Sequence, residues 1–439
     1  MTKEPHLTRA PGGAALPAGP AVLRRANLSL VLRELRDHTS LSRADIAEAT
    51  GLHRATVSNL MAELLERRLV REVGVEHVGA IGRPRRAVAL HGAHVGALGM
   101  EINVDYIAVH GTDLSGRVLV ERRVVYDTMG SGPDSAVRRL GLVAKEAVEA
   151  MRRVGAVPAG IAVAVPGLVD VTRGVVTLAP NLYWHDLPLA DQLSSILGPL
   201  NVPVRVDNDA NLAALAEYTS GIAAGTPDLV YLTGEVGVGG GIISGGKLLR
   251  GADGFSGEVG HLRVDPNGDQ CGCGRIGCWE TKVGLAALVR AAMPEQAYGL
   301  PGMPVPDPGE RVADIARGLA SGDRRMMMAV AQVGEWLGLG GSILANLFNP
   351  RAIVIGGYFA SLAQWLLPHA QDQLQRPPRP AAPRAWWSTT SSTTRRRSWT
   401  HYPGRQPTDG PHRPGDGTLQ QPKYPLQPSG NKRGGARLA

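Results

Sequence analysis

Residues 257–280, GEVGHLRVDPNGDQCGCGRIGCWE, contain all three cysteines of this 439-residue chain. Cys271, Cys273 and Cys278 lie within eight residues of one another, and His261 precedes them with nine residues between. Three thiolates and one imidazole make a tetrahedral zinc site, and four protein ligands leave no position for an activated water. The spacing therefore predicts structural Zn²⁺, with three incidental thiols as the alternative.

The same stretch carries a longer pattern: Glu258, Gly260 and His261, followed by Cys-x-Cys-Gly-x-x-Gly-Cys-x-Glu ending at Glu280. This pattern resembles the signature of the ROK family, named for repressors, open reading frames and kinases. The resemblance implies that Glu258, His261 and Glu280 contact a bound sugar. One ring nitrogen of His261 can bind zinc while the other faces the sugar. Zinc would then hold the sugar-binding residues in place.

The net charge of +8 is unevenly distributed. Residues 1–95 hold 14 Lys and Arg against 9 Asp and Glu, residues 376–439 hold 12 against 2, and the residues between hold 21 against 28. A basic front end suggests a polyanionic partner, whereas the acidic body argues against general wrapping of nucleic acid. No signal peptide or run of about 18 apolar residues is visible, and the clustered cysteines suit a reducing compartment. We expect a cytoplasmic protein without a membrane partner.

The N-terminal region has the pattern of three helices followed by a β-hairpin. Residues 27–38 place apolar side chains on one helical face, and Ser42 with Asp45 predicts a capped second helix. A third helix is predicted from about Arg54 to Arg67. This order resembles a winged helix-turn-helix, in which the N-terminal half of the recognition helix enters the major groove of DNA. A charged helical bundle used for protein contacts is the alternative.

The winged-helix resemblance implies a DNA surface and a partner. Bases or phosphates of operator DNA would be contacted by the recognition-helix residues Arg54, Thr56, Ser58 and Asn59 and by the basic wing residues Arg83 and Arg85. We expect a homodimer or a dimer of dimers that reads an inverted repeat, since a symmetric dimer places two recognition helices about 34 Å apart or a multiple of it.

After residue 93, glycine-punctuated strands alternate with helices, which predicts a layered α/β body. Three antiparallel strands are expected over residues 95–124, with turns at 112–113 and 115–116, and residues 229–249 form a second glycine-rich hairpin. The two halves resemble the duplicated ribonuclease-H-like lobes of actin-like ATPases and sugar kinases. The predicted fold is therefore multidomain: a disordered arm at 1–20, a mainly α winged helix-turn-helix at 21–92, and α/β lobes at 93–225 and 226–375.

Residues 376–439 have a different composition from the body. They contain 11 prolines and three leucines, but no Ile, Val, Met or Phe. Such a segment buries too little apolar surface to offset the entropy of ordering, so we expect a disordered basic tail. Family members continue here with a strand and a closing helix. A frame change near residue 376 is our interpretation, and an evolved basic arm for nucleic acid is the alternative.

The resemblance leaves two functional classes, a sugar kinase and a sugar-responsive transcription factor. Family kinases hold ATP with an Asp-x-Gly-Gly-Thr loop, and the matching positions 101–105 read Glu-Ile-Asn-Val-Asp. Val104 adds a branched side chain where none fits. Asp105 adds a like charge near the triphosphate, about 1 kcal/mol at 4 Å in water and more when desolvated. The sequence therefore predicts that ATP binds poorly and that the chain is not an enzyme.

The sugar positions of the family are retained. The resemblance assigns sugar contacts, besides those in the cysteine loop, to Gly167, Asn181, Asn208 and Asp209. Asp209 matches the kinases' catalytic base, which takes a proton from a sugar hydroxyl, although a helix N-cap is its alternative role. We expect a sugar-responsive repressor with its effector bound between the lobes. The alternatives are an ATP-dependent, glucokinase-like sugar kinase with a DNA-binding domain, and a body used only for oligomerisation.

Overall fold

The computed structural model describes residues 19–76, 85–235, 237–296, 308–375 and 386–389. The chain divides into two compact units, Met1–Asn208 and Asp209–Ala439. This boundary precedes the predicted one between residues 225 and 226, because the helix Asp209–Thr219 packs against strands of the second unit. No helix within these described ranges is both long and apolar enough to cross a membrane.

The first unit begins with a helical head and a small antiparallel sheet. Its elements are α1 (Pro20–Asp37), β1 (Leu41–Ser42), α2 (Arg43–Thr50), α3 (Arg54–Glu66), β2 (Val70–Glu76) and β3 (Arg85–Leu90). The sheet order is β1-β3-β2. The predicted wing tip at 82–84 lies outside the described residues. The order of elements confirms the winged helix-turn-helix.

Local interactions explain where the head's helices begin and end. Ser42 Oγ accepts the Asp45 N–H while the Asp45 carboxylate accepts the Ser42 N–H, which is the predicted capping box. Gly51 ends α2 in the left-handed region with φ of 68°, a conformation that glycine adopts without a steric penalty. The apolar faces of the helices and strands then meet in one core, formed by Val31, Leu35, Ile46, Ala47, Val57, Leu60, Met61, Leu64, Val70 and Val88.

The rest of the first unit is a five-stranded sheet covered by helices. Its elements are β4 (Val95–Ile102), β5 (Tyr106–Asp113), β6 (Val118–Val125), α4 (Thr128–Ser131), α5 (Pro133–Arg153), β7 (Val157–Val165), β8 (Leu168–Asp170), β9 (Val175–Ala179), β10 (Trp184–Leu187), α6 (Leu189–Leu197) and β11 (Val204–Asn208). The sheet order is β11-β7-β4-β5-β6, in which β4, β5 and β6 are antiparallel and β7 and β11 are parallel to β4. A small sheet, β10-β9-β8, follows β7.

The turn predicted at 112–113 is wrong. Both residues lie at the end of β5, and the chain reverses instead at 103–105. Asp113 has a turn-forming side chain, but its Oδ1 accepts the N–H groups of Ser115 and Arg117 and so stabilises the next turn. That turn, predicted at 115–116, is present, with Gly116 at φ of 83°.

A short strap, residues 91–94, joins the head to this sheet. The Val157 N–H at the start of β7 donates to the His94 carbonyl. On the head side, His94 Nε2 lies 3.4 Å from the carbonyl oxygen of Arg67, the residue that ends α3. The strap therefore contacts both the end of α3 and the body sheet.

The second unit repeats the same sheet topology. Its elements are α7 (Asp209–Thr219), β12 (Leu229–Gly234), β13 (Val238–Ser244), β14 (Lys247–Leu248), α8 (Glu280–Val283), α9 (Leu285–Ala292), α10 (Pro308–Ala320), α11 (Arg324–Phe348), β15 (Ala352–Gly357), α12 (Tyr358–Ser361), α13 (Ala363–Gln375) and β16 (Trp386–Thr389). The order β14-β13-β12-β15-β16 matches that of the first sheet strand for strand, with the same parallel and antiparallel pairings. This duplication confirms the predicted pair of ribonuclease-H-like lobes.

Strand β16 departs from the predicted disordered tail. It pairs in parallel with β15, from Ala352 opposite Trp386 to Ile355 opposite Thr389, and fills the position that β11 holds in the first sheet. The composition of residues 376–439 as a whole does not predict this strand. It forms because two Trp and a Thr favour β structure locally and because β15 offers an edge with which they can pair. The rest of the predicted tail and residues 1–18 of the arm predicted at 1–20 lie outside the described residues, and Pro20 is the first residue of α1.

Candidate functional site

The N-terminal half of α3 presents a polar surface. Arg54, Ser58 and Asn59 are exposed and Thr56 is half-buried, while the opposite face of the helix lies in the head core. His53 caps the helix, because its Nδ1 accepts the Ala55 N–H at 3.3 Å. Sequence reasoning missed this cap, since Ser, Thr, Asp and Asn are the preferred capping residues.

An ion pair between Arg24 and Glu63 joins the C-terminal half of α3 to α1. Glu63 accepts hydrogen bonds from Arg24 Nε and Nη2 at 2.9 and 2.6 Å and from Arg67 Nε at 3.0 Å. The hydrogen bond from Arg24 lowers the pKa of the Glu63 carboxyl, and although burial opposes this shift, the charges of Arg24 and Arg67 add to it. The cluster neutralises a carboxylate on the helix that would approach DNA.

A second charged cluster lies at the base of the wing. Glu72 of β2 lies 2.9 Å from Arg86 of β3 and 3.7 Å from Arg43 at the start of α2. Arg83 lies outside the described residues, and Arg85 is the first residue of β3. DNA contacts by Arg83 and Arg85 therefore stay predictions.

His261, Cys271, Cys273 and Cys278 come together in the second unit, with their ligand atoms all within 4.8 Å of one another. Cys271 Sγ lies 3.7 Å from His261 Nδ1, and the Sγ atoms of Cys273 and Cys278 are 3.6 Å apart. A tetrahedron with Zn–S bonds of about 2.3 Å has edges of about 3.7 Å, so these separations suit zinc. The cluster could hold a metal ion, with Nδ1 as the histidine nitrogen that faces sulfur.

The thiols of Cys271 and Cys273 differ in their tendency to ionise. Burial raises the pKa of the Cys271 thiol to about 12. Burial also acts to raise the pKa of Cys273, but the Arg275 N–H and hydrogen bonds from the other two thiols outweigh it, and the net shift is downward. These values describe the protein without a metal, whose positive charge would favour the thiolates.

Glu280 connects the cysteine loop to the hairpin formed by β12 and β13. Its Oε1 lies 3.7 Å from Cys271 Sγ, and its Oε2 accepts the Val238 N–H at 3.2 Å. A side chain at Gly237 would collide with this carboxylate. A change in the conformation of the cysteine loop would therefore move Glu280, which is a predicted sugar contact.

Glu258 and His261 belong to the same cluster of polar side chains. Glu258 retains contact with solvent, yet protein atoms around its carboxyl group raise its pKa by desolvation. The charge of His261 opposes that rise, and the charge of Glu280 adds to it. The Glu258 carboxyl therefore lies close enough to His261 and Glu280 to interact with both electrostatically.

Three predicted residues of the first unit follow or end its strands. Gly167 follows β7, Asn208 ends β11, and the Asn208 Nδ2 donates to the Gly167 carbonyl at 3.0 Å. A Cβ on Gly167 would lie 2.8 Å from Ala179 Cα, so this segment packs closely against the end of β9. Asn181 is exposed in the 3₁₀ turn Pro180–Leu182 that follows β9. The carboxyl ends of parallel strands are where α/β sheets bind ligands.

Asp209 belongs to the second unit, as the first residue of α7. Its Oδ1 accepts the Ala210 N–H at 2.7 Å. The carboxylate is half-buried at the point where a helix begins.

The positions of the kinase phosphate loop form the turn between β4 and β5. The Tyr106 hydroxyl donates to Glu101 Oε1 at 2.5 Å, and Asn103 Nδ2 lies 3.3 Å from the same oxygen. The Arg123 guanidinium lies over the Tyr106 ring, 3.7 Å from its centroid. Val104 packs against the core of the first unit. The turn is thus filled by side chains that contact one another.

Known proteins share this architecture. Residues 97–379 match the ROK family, and residues 29–79 match the MarR family. The xylose repressor of Caldicellulosiruptor bescii is 35% identical over 344 residues, which cover 76% of this chain and 84% of that protein. The crystal structure of a ROK family transcriptional regulator, a homolog of the E. coli MLC protein, matches with a TM-score of 0.68 and 26% identity, over 80% of this chain and 88% of that chain.

A ROK family glucokinase from Streptomyces griseus, in complex with glucose and AMPPNP, matches with a TM-score of 0.54 and 32% identity, over 67% of this chain and 94% of that chain. Since the family match spans more than half of the sequence, the protein belongs to the ROK family. Its ROK region follows a winged helix-turn-helix head.

Proposed function

We propose that this protein is a sugar-responsive transcriptional repressor that binds operator DNA. The observation that carries the proposal is the exposed polar half of α3 in a winged helix-turn-helix head, on the same chain as a ROK body. The similarity to a xylose repressor over most of that protein's length supports both parts.

Operator DNA is bound by α3 and the wing. Arg54, Ser58 and Asn59 are exposed at the end of the helix that enters the major groove in this fold. Thr56, Arg83 and Arg85 complete the proposed surface. A homodimer would place two such helices about 34 Å apart, or a multiple of that distance, on an inverted repeat.

The effector is a sugar, bound by the residues that the family resemblance assigns. In the first unit these are Gly167, Asn181 and Asn208; in the second they are Asp209, Glu258, His261 and Glu280. Amide and carboxylate groups suit a neutral polyol, whose hydroxyls both donate and accept hydrogen bonds. The Streptomyces griseus glucokinase in complex with glucose supports this class of ligand.

Structural zinc is bound by His261, Cys271, Cys273 and Cys278. The sulfur and nitrogen separations of 3.6–3.7 Å support the proposal. When bound, the ion supplies charge and fixed geometry rather than chemistry, since four protein ligands close its coordination. His261 Nε2 is then free to face the sugar, and the loop holds Glu280 near Val238.

The body does not transfer phosphate from ATP. The turn at 103–105 carries Val104 in contact with the core and a side-chain cluster around Glu101 and Tyr106. A phosphate loop instead needs small residues whose backbone N–H groups approach the anion. An ATP-dependent sugar kinase is the competing function, and sugar phosphorylation by the purified protein would establish it.

Sugar and DNA binding are coupled through the first unit. The strap contacts the end of α3 through His94 and the start of β7 through Val157. A shift of the body sheet would therefore move the recognition helix. A sugar that binds one of two states about 100-fold more tightly supplies roughly 2.7 kcal/mol for this switch.

Selection of bound fragments from genomic DNA, followed by fluorescence anisotropy, tests this function. Arg54→Ala should weaken specific binding by roughly 1–3 kcal/mol if Arg54 contacts a base. Arg33→Ala, an exposed arginine on α1, is the matched control and should change affinity little. No selected fragment, or equal affinity for the Arg54→Ala protein, would overturn the proposed DNA surface.

A further inference from the structure

The hairpin loop between β9 and β10 holds an exposed tyrosine next to a predicted sugar contact. Ala179 pairs with Trp184 across the hairpin, and the loop between them contains the 3₁₀ turn Pro180–Leu182 followed by Tyr183. Leu182 and Trp184 are each 1% exposed, whereas Tyr183 is 72% exposed. Two buried neighbours therefore anchor the loop while the tyrosine side chain projects into solvent.

The backbone of Tyr183 is held in the left-handed region, with φ of 54° and ψ of 34°. This conformation costs roughly 1–2 kcal/mol for an ordinary L-residue, and Gly or Asn would adopt it more easily. Two of the other non-glycine residues with positive φ in the described ranges, Asn201 and Asn349, are asparagines. Asp186 of the same hairpin is also strained, with φ of 45°. A strained tyrosine that buries little surface gives no evident stability in return.

The surroundings of the loop indicate what the ring could do. Asn181, two residues away, is exposed and offers an amide. Gly167 packs against the end of β9 immediately before this loop, and Asn208 is hydrogen-bonded to Gly167. Sugar sites combine a few polar groups that fix hydroxyls with apolar or aromatic surface that covers the C–H faces of the ring.

We propose that Tyr183 is a sugar-specificity residue, whose ring stacks on the C–H face of a pyranose while Asn181 bonds a hydroxyl of the same sugar. The proposal rests on the sugar-binding function above. The buried Leu182 and Trp184 fix the backbone of Tyr183 before the sugar arrives, which lowers the entropy that the loop loses on binding.

The test compares sugar binding and stability in the same variants. D-xylose and D-glucose are titrated by calorimetry into the full-length protein and into Tyr183→Gly and Tyr183→Phe. We expect Tyr183→Gly to weaken the affinity for the bound sugar about tenfold while the midpoint of thermal unfolding stays equal or rises, because strain is relieved. Tyr183→Phe keeps the ring and should bind within about twofold of the original protein. Asn201→Gly, a left-handed position in the same unit, is the matched backbone control and should not alter sugar affinity.

The outcomes separate this inference from the function on which it rests. If the unaltered protein binds neither sugar and neither sugar changes its operator affinity, the proposed function and this inference both fail. If the unaltered protein binds sugar and Tyr183→Gly binds it equally well, only the stacking role fails. Reduced self-association with unchanged sugar affinity would instead assign Tyr183 to an interface between copies of the chain.

Discussion

The two hairpins that open the duplicated sheets have the same topology but different turns. In the first, β4 and β5 are joined by Asn103, Val104 and Asp105, and side chains fill the turn. In the second, β12 and β13 are joined by a short segment that includes Gly237, followed by three glycines within β13. The comparison shows whether the glycines of the second hairpin are required by packing or by a bound ligand.

The second hairpin needs its glycines for reasons unrelated to nucleotide. A Cβ on Gly241 would lie 2.5 Å from Ala214 Cβ of α7, and a Cβ on Gly240 would lie 2.5 Å from Val259. Gly237 is crowded by the Glu280 carboxylate. A glycine-rich stretch in the second hairpin is therefore weak evidence for ATP binding, and the larger residues of the first hairpin are the basis of the proposal that ATP binds poorly.

Loss of the metal site should lower the stability of the protein more than any other change, and it should disturb the second hairpin through Glu280. Structural zinc contributes about 10–16 kcal/mol of binding free energy in zinc-finger peptides, so Cys273→Ser should strongly lower both zinc content and the midpoint of thermal unfolding. Because Glu280 contacts both Cys271 and Val238, sugar affinity should fall in parallel. Metal analysis with calorimetry measures both quantities.

Arg263→Ala is the control for the metal site, since this exposed side chain bonds only the Pro266 carbonyl within the loop. It should retain about one zinc ion per chain. A Cys273→Ser protein that lacks zinc yet binds sugar normally would contradict the supporting role of the loop.

A methyl group added to the second hairpin should have the next largest effect. Gly241→Ala forces overlap with Ala214 Cβ and the Ala210 carbonyl, so the free energy of unfolding should fall by about 1–3 kcal/mol. Gly99→Ala in the first hairpin is the matched control, because its Cβ would meet only the His110 carbonyl oxygen at 3.4 Å. Urea unfolding measures the free energy of unfolding of both variants. An equal decrease in Gly241→Ala and Gly99→Ala would show that close packing does not explain the glycine at position 241.

The side-chain cluster around Glu101 and Tyr106 in the first hairpin should contribute least to the free energy of unfolding. Tyr106→Phe removes the hydroxyl that donates to Glu101 and should lower the free energy of unfolding by about 1 kcal/mol. Tyr183→Phe is the control for loss of a hydroxyl, because the Tyr183 side chain is exposed, and its free energy of unfolding should change little.

ATP with Mg²⁺ should leave the midpoint of thermal unfolding of every protein unchanged. A rise with ATP in the unaltered protein would restore the kinase as a candidate.

Sequence reasoning succeeded where local chemistry decides the structure. The Ser42–Asp45 capping box, the buried face of α3 and the gathering of His261 with the three cysteines follow from short spacings. It failed in two places, for different reasons. Asp113 stabilises the turn that follows it rather than forming one at 112–113, and β16 forms because the distant edge of β15 can pair.

The strained Tyr183 could not have been predicted, because a left-handed backbone at a tyrosine has no local sequence signal. The contact of His94 with the end of α3 is likewise a product of tertiary packing.

The central claim is that sugar and operator DNA bind to one coupled switch. Sugar affinity is measured by calorimetry with and without a saturating operator fragment, and operator affinity is measured with and without sugar. Linkage requires the two ratios to be equal, and the account predicts a shared factor on the order of 100. Equal sugar affinities in the presence and absence of operator would show that the protein binds its two ligands independently, and the repressor mechanism proposed here would be wrong.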